Sequence, residues 1–212
     1  MRLKTVTRTQ GNNAALKDGT VTPAGFELDF EEVDPLIRAF RRMVRELEYD
    51  VCELAITTYL CAKEHGARFT ALPVFLVRGF HHGAIVAKPG TVPKDLEGRK
   101  VGVNRGYTVT TGVWARGVLA DEHGVDLDRV TWVLSGDEHV AEYVPPANVV
   151  PVEAGQDLGE LLAAGDLAAA IGIDSGLGPL IPNATDAGYA ALRDRGARLS
   201  LSIARSSSSS DP

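Results

Sequence analysis

Hydrophobic and polar positions in the first 90 residues follow two different periods. Short apolar runs, which are typical of strands, lie at residues 3–8, 26–30, 51–53, 69–73 and 77–87. Apolar residues return at helical spacing between Asp34 and Glu48 and again over residues 56–65, which predicts two helices. Strands that alternate with helices favour the α/β class with mostly parallel sheets.

The same pattern restarts at Thr91. Strands are predicted at residues 100–104, 130–134, 149–152 and 168–173, and helices at 111–123 and 156–165. The break at residues 88–93 predicts two lobes, the first covering residues 1–89 and the second residues 90–175. The serine run within residues 198–212 has neither periodicity nor apolar content, which predicts a disordered tail.

Composition and charge narrow the class of protein. The chain has 212 residues, a net charge of −6 and scattered Lys and Arg, which argues against nucleic acid as a partner. Cys52 and Cys61 match neither a zinc motif nor a disulfide framework and are typical of thiols in a reducing compartment. The N-terminus lacks the apolar region of a signal peptide, and no window is long enough to span a membrane. We therefore expect a cytoplasmic protein with no membrane partner.

The most informative stretch is the strand at residues 100–104, the loop 105–111 and the helix that follows. A loop of Gly and hydroxyl residues at a helix N-terminus presents free N–H groups and the positive end of the helix dipole to an anion. Arg105 adds a guanidinium that can bind a carboxylate through two hydrogen bonds. The alternative is that Arg105 is only a surface residue after a strand. We expect a protein that holds a small organic anion.

Four stretches of the chain carry a family resemblance. In order, DVCELAITTYLCAKEHG, FTALPVFLVRGFHHGAIV, KVGVNRGYTVTTGVWARG and LSGDEHVAEYVPPANVVPV resemble the 4,5-dihydroxyphthalate decarboxylase family. The resemblance covers residues 1–196. It implies a two-lobed fold of the periplasmic-binding-protein type II class, in which each lobe is a mostly parallel sheet flanked by helices. It also implies decarboxylation of 4,5-dihydroxyphthalate to 3,4-dihydroxybenzoate in phthalate breakdown.

The resemblance also predicts how this chain departs from its relatives. They continue beyond a segment like residues 176–197, which returns toward the first lobe, with a strand and helices that complete that lobe. Here the chain runs into the serine-rich end instead. We therefore expect a truncated copy in which the first lobe is incomplete.

The implied reaction calls for particular side chains. Loss of CO₂ from an aromatic ring requires cations or N–H groups for two carboxylates, a base for the phenol and an acid for the ring carbon. Loops after strand ends line the clefts of open α/β sheets. The candidates for binding the dicarboxylate substrate are Arg8, Asn12, Thr57, Thr58, Arg78, Arg105, Tyr107, Thr108 and His139. For Thr57 and Thr58 a helix-capping role stays open, and for residues 137–139 a solvated acidic loop stays open.

The candidates for acid–base catalysis are His81, His82 and Glu53. The resemblance implies that the strand near the two histidines passes beside the cleft. Strand alternation sends His81 and His82 to opposite sides, so at most one faces the ligand. The alternative for either is a hydrogen-bonded structural histidine.

Several functional alternatives stay open at this point. One histidine together with Glu53 or His139 could bind a divalent metal, but no spacing demonstrates a metal site, so no cofactor is assigned. A solute-binding protein for a small organic anion fits the same fold. An inactive truncated copy is a third interpretation, and association into a homo-oligomer is also open.

Overall fold

The chain divides into two compact units. The computed structural model describes residues 1–207, with the side chains of residues 1–195. The first unit comprises Met1–Gly79, Arg105–Val113 and Gly136–Ala147. The second comprises Phe80–Asn104, Trp114–Ser135 and the chain from Asn148 onward.

The first unit contains a parallel sheet of three strands. These strands are β1 (Arg2–Val6), β2 (Glu27–Phe30) and β3 (Val51–Cys52), in the spatial order β2-β1-β3. The helices of this unit are α1 (Ala14–Lys17), α2 (Ile37–Glu46) and α3 (Ile56–Glu64). From the central strand β1 the chain moves to β2 on one side and later reaches β3 on the other. The carboxyl ends of β1 and β3 therefore form the kind of switch point at which α/β sheets bind ligands.

The core of the first unit lies between β1 and α2. Val6 packs with Leu36, Ala39, Met43 and Tyr49, all of them buried. The apolar positions of α2 recur at helical spacing, so one face of the helix is buried and the other carries arginines. Burial of each large apolar side chain contributes roughly 1.5–3 kcal/mol. This packing fixes α2, which supplies two side chains of the site described below.

The second unit contains a sheet of five strands. They are β4 (Ile85–Ala87), β5 (Lys100–Val103), β6 (Thr131–Leu134), β7 (Val149–Pro151) and β8 (Ala169–Ile171), in the order β4-β8-β5-β6-β7. Only β4 runs antiparallel to its neighbour. The helices are α4 (Thr110–His123), which begins in the first unit, α5 (Leu158–Ala164) and α6 (Ala184–Ser207). Three 3₁₀ turns lie at His82–Ala84, Pro93–Leu96 and Leu127–Arg129.

The sequence pattern predicted most of this architecture. The α/β class and the mostly parallel sheets flanked by helices are confirmed. The strand predicted at residues 69–73 is wrong, and of the strand predicted at 77–87 only Ile85–Ala87 forms. A strand requires a hydrogen-bonding neighbour, and no described strand pairs with residues 69–81. The helix predicted to open at Asp34 begins at Ile37.

The C-terminal part is dominated by α6, which packs against the 3₁₀ turn His82–Ala84 of its own unit. The disordered tail predicted for residues 198–212 falls where side chains are not described, and residues 208–212 lie outside the described residues. Within the described part of the chain, no helix combines the length and the apolar character that crossing a bilayer requires.

Candidate functional site

The loop between β5 and α4 holds a carboxylate, which belongs to Glu138 of the chain itself. The Tyr107 backbone N–H donates to Oε1 of Glu138. The Thr108 backbone N–H and hydroxyl both donate to Oε2, at 3.0 and 2.5 Å. We call residues Gly106–Thr108 the carboxylate cradle. The sequence pattern predicted an anion site at this loop, and the group found there is an internal carboxylate.

The cradle depends on a close approach of two loops. A Cβ atom on Gly106 would lie 2.8 Å from the Asp137 carbonyl oxygen and 2.8 Å from Cδ of Glu138. A Cβ atom on Gly136 would lie 3.2 Å from Cα of Arg105. Arg105 itself has a φ of 73°, a left-handed conformation that is uncommon for a residue with a side chain. Small residues at Gly106 and Gly136 therefore allow the carboxylate to reach the backbone N–H groups.

Two arginines of α2 bind the loop that carries Glu138. Arg41 Nη2 lies 2.5 Å from Oδ1 of Asp137, and Arg45 Nη2 lies 3.3 Å from Oδ2. Arg45 also donates to the backbone carbonyls of His139, at 2.9 Å, and Glu138, at 2.6 Å. Neither arginine was among the candidates predicted from the sequence. Their signal was their spacing of four residues on the polar face of a helix, which places them side by side.

Burial and the neighbouring arginines act in opposite directions on the pKa of Asp137. Burial raises the pKa, whereas the charge and hydrogen bond of Arg41 and the hydrogen bond of Arg45 lower it. The cationic contribution dominates, so the pKa of Asp137 lies below its ordinary value. Asp137 therefore stays ionised and holds the two guanidinium groups beside the loop.

His139 is buried at the same loop, with 1% of its surface exposed. Its Nδ1 lies 2.7 Å from the hydroxyl of Thr58, which is also buried. Phe40 packs edge-on against the imidazole, with the ring centroids 6.0 Å apart. The other ring nitrogen, Nε2, is buried and has no hydrogen-bond partner among the described residues. A buried polar atom without a partner is rare and marks a candidate functional group.

The surroundings of His139 favour its neutral form. Burial is the largest cause, and the positive charges of Arg41, Arg105 and Arg45 act in the same direction, with Asp137 opposing them. Together they lower the pKa of His139 to about 4. The imidazole is therefore neutral at neutral pH and offers one donor and one acceptor nitrogen.

The beginnings of α3 and α4 are linked at this site. The hydroxyls of Thr57 and Thr110 lie 2.9 Å apart, and each belongs to the first turn of its helix. The capping role considered for Thr57 and Thr58 is wrong, because the N-cap of α3 is Ala55 and no side chain caps that helix. The two threonines instead contact Thr110 and His139, respectively. The solvated-loop interpretation fits only the exposed Asp137, since Glu138 is half-buried and His139 is buried.

Four other candidates of the first unit make separate contacts. At the carboxyl ends of β1 and β3, the Arg8 backbone N–H donates to Oε2 of Glu53 at 2.9 Å. Asn12 Nδ2 donates to the backbone carbonyl of Leu76 at 3.0 Å. The Arg78 guanidinium lies over the ring of Phe75 at 5.3 Å. None of these described contacts involves the carboxylate cradle.

The two adjacent histidines belong to the second unit. His82 is buried, and its Nε2 lies 2.9 Å from Oε2 of Glu122. The ring of His81 stacks on Trp114 at a centroid distance of 6.4 Å, and burial, followed by the charge of His82, lowers the pKa of His81. Both residues lie at a 3₁₀ turn, so the strand alternation invoked for them is wrong. The hydrogen bond from the buried His82 to Glu122 fits the structural-histidine interpretation, whereas Nδ1 of His82 is buried and has no partner among the described residues.

No metal centre is apparent in the described part of the chain. Among those residues, no group of three or more His, Cys, Asp or Glu side chains is arranged to hold a metal ion.

The fold and the site define an α/β protein in which a loop at the start of a helix holds the carboxylate of Glu138, with three arginines nearby. Known proteins resemble it along most of its length. It is 31% identical over 185 residues to 4,5-dihydroxyphthalate decarboxylase of Comamonas testosteroni. The aligned region covers 82% of this chain and 54% of the relative. It is 34% identical over 168 residues to 4,5-dihydroxyphthalate decarboxylase of Pseudomonas putida. The aligned region covers 74% of this chain and 64% of the relative.

These similarities confirm the resemblance predicted from the sequence. The chain spans between about half and two thirds of the length of the curated relatives it matches. No family model matches the chain.

Proposed function

We propose that this chain takes part in the decarboxylation of a dihydroxylated aromatic dicarboxylate, 4,5-dihydroxyphthalate, to 3,4-dihydroxybenzoate in phthalate breakdown. The observation that carries the proposal is the similarity to two decarboxylases of that name over most of this chain. The carboxylate cradle supports it independently, because a dicarboxylate substrate requires a site of that chemistry. The enzyme is accordingly a carboxy-lyase.

The substrate would be held through its carboxylates. The cradle has two backbone N–H groups and the Thr108 hydroxyl, which donate to Glu138 in the structure and could donate to a substrate carboxylate in its place, and α4 adds the positive end of its dipole. Arg41, Arg45 and Arg105 supply positive charge at the same unit. Charge-assisted hydrogen bonds of this kind are stronger than neutral ones. The arrangement favours an anionic ligand over a neutral aromatic one.

The chemistry follows from the substitution pattern of the ring. Each carboxyl-bearing carbon of 4,5-dihydroxyphthalate lies para to a phenol. Loss of the phenol proton to a base lets the ring carbon accept a proton from an acid, which gives a ketone-like intermediate. The C–CO₂ bond then breaks, its electron pair restores the aromatic ring as a phenolate, and the base returns its proton to that oxygen. The net change is one proton taken up and one CO₂ released.

Two histidines and one carboxylate are the candidates for these proton transfers. His81 and His82 are the candidates for the acid; Nε2 of His82 is bound to Glu122, and its buried Nδ1 has no partner among the described residues. His139 is neutral, with one nitrogen fixed by Thr58 and the other without a partner among the described residues, so it would form a hydrogen bond to the substrate rather than supply the proton. Glu53, at the carboxyl end of β3, is the candidate base for the phenol.

The finer architectural assignments are part of the same proposal. The two sheets would correspond to the lobes of a periplasmic-binding-protein type II fold, approximately residues 1–89 and 90–175, with residues 176–197 returning toward the first lobe. The protein would act in the cytoplasm and would associate into homo-oligomers.

The decisive experiment is to incubate the purified protein with 4,5-dihydroxyphthalate and measure CO₂ and 3,4-dihydroxybenzoate. EDTA-treated and metal-supplemented samples run alongside test for a metal requirement. Phthalate, which lacks the hydroxyls, serves as a matched control that should bind without releasing CO₂. Stoichiometric release of both products from the dihydroxylated substrate alone would support the proposal. A folded protein that binds both compounds and releases no CO₂ under any metal condition would refute it and favour a solute-binding role.

A further inference from the structure

The carboxylate cradle is occupied by a group that resembles the ligand it is suited to bind. Both oxygens of the Glu138 carboxylate accept hydrogen bonds from the loop at the start of α4. Neither α2 arginine has a described hydrogen bond to that carboxylate. Arg41 and Arg45 instead bind the Asp137 carboxylate and the backbone carbonyls of residues 138 and 139.

Positive charge would exceed negative charge around the cradle once Glu138 left it. Arg41, Arg45 and Arg105 carry three positive charges, whereas Asp137 and Glu142 would remain as two negative ones on the neighbouring loop. Asp137 is held by the two α2 arginines through its own side chain. Departure of Glu138 from the cradle would leave free backbone N–H groups in a positive field, which is a favourable environment for an incoming carboxylate.

A second feature beside Glu138 points to a ligand. The neighbouring residue, His139, is 1% exposed, and its Nε2 has no hydrogen-bond partner among the described residues. Burial of a polar atom without a partner is costly, and such atoms usually acquire a partner from water or a bound molecule. A movement of the short segment 137–139 would therefore affect both the cradle and a polar nitrogen that a substrate could satisfy.

We propose that the Glu138 carboxylate occupies the position of one substrate carboxylate, and that an aromatic carboxylate binds the cradle by displacing it. The choice of an aromatic dicarboxylate rests on the proposed function. Exchange of one carboxylate for another preserves the hydrogen bonds to the Tyr107 and Thr108 N–H groups. Glu138 thus acts as an intramolecular competitor, which reduces the apparent affinity by the fraction of molecules in which it fills the cradle.

Glu138→Gln tests this competition directly. A carboxamide has one acceptor oxygen, and its NH₂ group would face backbone N–H donors, so it cannot replace both carboxylate oxygens. Glu142→Gln is the matched control, because Glu142 is exposed on the same loop and loses the same charge. The probe is phthalate, titrated by calorimetry into each variant and into the original protein. We expect the dissociation constant of Glu138→Gln to fall about 10-fold and that of Glu142→Gln to change less than about 2-fold.

A second measurement does not depend on how the variant folds. In the unaltered protein, the amide NMR signals of Tyr107 and Thr108 should shift as phthalate is added. An absence of such shifts at saturating phthalate would overturn the proposal. It would also be overturned by equal tightening in both variants, which would indicate a general charge effect, or by unchanged or weaker binding in a folded Glu138→Gln protein.

The two proposals fail in different ways. Phthalate binding does not require turnover, so displacement of Glu138 with no CO₂ release from 4,5-dihydroxyphthalate would refute the decarboxylase function alone. Release of CO₂ with no effect of Glu138→Gln on phthalate affinity would refute the competition alone.

Discussion

The Thr58 hydroxyl lies 2.7 Å from Nδ1 of His139, and both side chains are buried. This hydrogen bond joins the first turn of α3 to the loop that also carries Glu138. It fixes the imidazole plane and leaves Nε2 as the ring atom available to a ligand. If the hydroxyl donates to Nδ1, the proton of the neutral ring is on Nε2, which then offers a hydrogen-bond donor.

The buried neutral state of His139 predicts a pH dependence of stability. The pKa of His139 is about 4 in the folded protein, below the ordinary histidine value of 6.5. The unfolded chain therefore binds more protons between these values, so stability is full above pH 6.5 and falls as pH decreases toward 4. Between pH 7 and pH 5 the titration of His139 alone lowers the free energy of unfolding by on the order of 2 kcal/mol.

Urea unfolding at pH 7 and pH 5 measures this contribution. His139→Gln should lose this pH-dependent stabilisation, so its free energy of unfolding should change less between pH 7 and pH 5 than that of the unaltered protein. His65→Gln, which replaces an exposed histidine, is the control and should keep the full change. The same pH dependence in all three proteins would contradict the assignment.

Arg105→Ala tests carboxylate recognition. Arg105 is exposed, so its removal should leave the fold intact, whereas the loss of a charged partner weakens carboxylate binding by roughly 1.5–3 kcal/mol. We expect the dissociation constant for phthalate to rise about 10- to 100-fold. Arg68→Ala removes another exposed arginine of the first unit and serves as the control. If both variants bind phthalate as tightly as the original protein, Arg105 has no part in recognition.

The adjacent histidines should differ in their structural contribution. His82→Ala removes the hydrogen bond between the buried His82 and Glu122 and should cost about 1–3 kcal/mol of unfolding free energy. His81 is only half-buried and stacks on Trp114, so His81→Ala should cost less than about 1 kcal/mol. Thermal unfolding compares the two. Turnover should be abolished in only one of the two variants; equal, mild losses from both would argue against a histidine acid.

Gly106→Ala tests the close approach of the two loops. The added methyl would meet the Asp137 carbonyl and the Glu138 carboxylate at 2.8 Å, so either the cradle opens or the loop shifts. We expect a loss of about 1–3 kcal/mol in stability. Gly117→Ala, in α4 and with nothing within 4 Å of the added atom, should be neutral or stabilising by up to about 1 kcal/mol. A neutral Gly106→Ala would mean that the loops are farther apart than described.

Local patterns in the sequence were sufficient to predict the elements that position the cradle. The strand β5, the polar loop after it and α4 follow from a change of period from two to 3.6 and from residues suited to a helix N-terminus. The strands predicted within residues 69–87 show the limit of this reasoning. Apolar content indicates a strand only where a neighbouring strand accepts its hydrogen bonds, and no described strand pairs with residues 69–81.

The partners within the site were beyond local patterns. Arg41 and Asp137 are 96 residues apart in the chain, and Thr58 and His139 are 81 apart. Periodicity places each residue on a face of its own element but contains no information on which distant loop meets that face. That Glu138 fills the cradle therefore required the structure, although the loop itself could be recognised as an anion site.

The first unit is built from three separate stretches of the chain. Domain dissection is therefore constrained: a polypeptide cut after Gly79 would keep Thr58 and Arg41 but lose His139 and the cradle. Proteolytic nicking between the stretches need not release a fragment, because the pieces would remain joined by the contacts between α2, α3 and the loops. Circular permutation or fragment complementation would have to preserve all three stretches together, so the site can be transplanted only with a segment that includes residues 1–147.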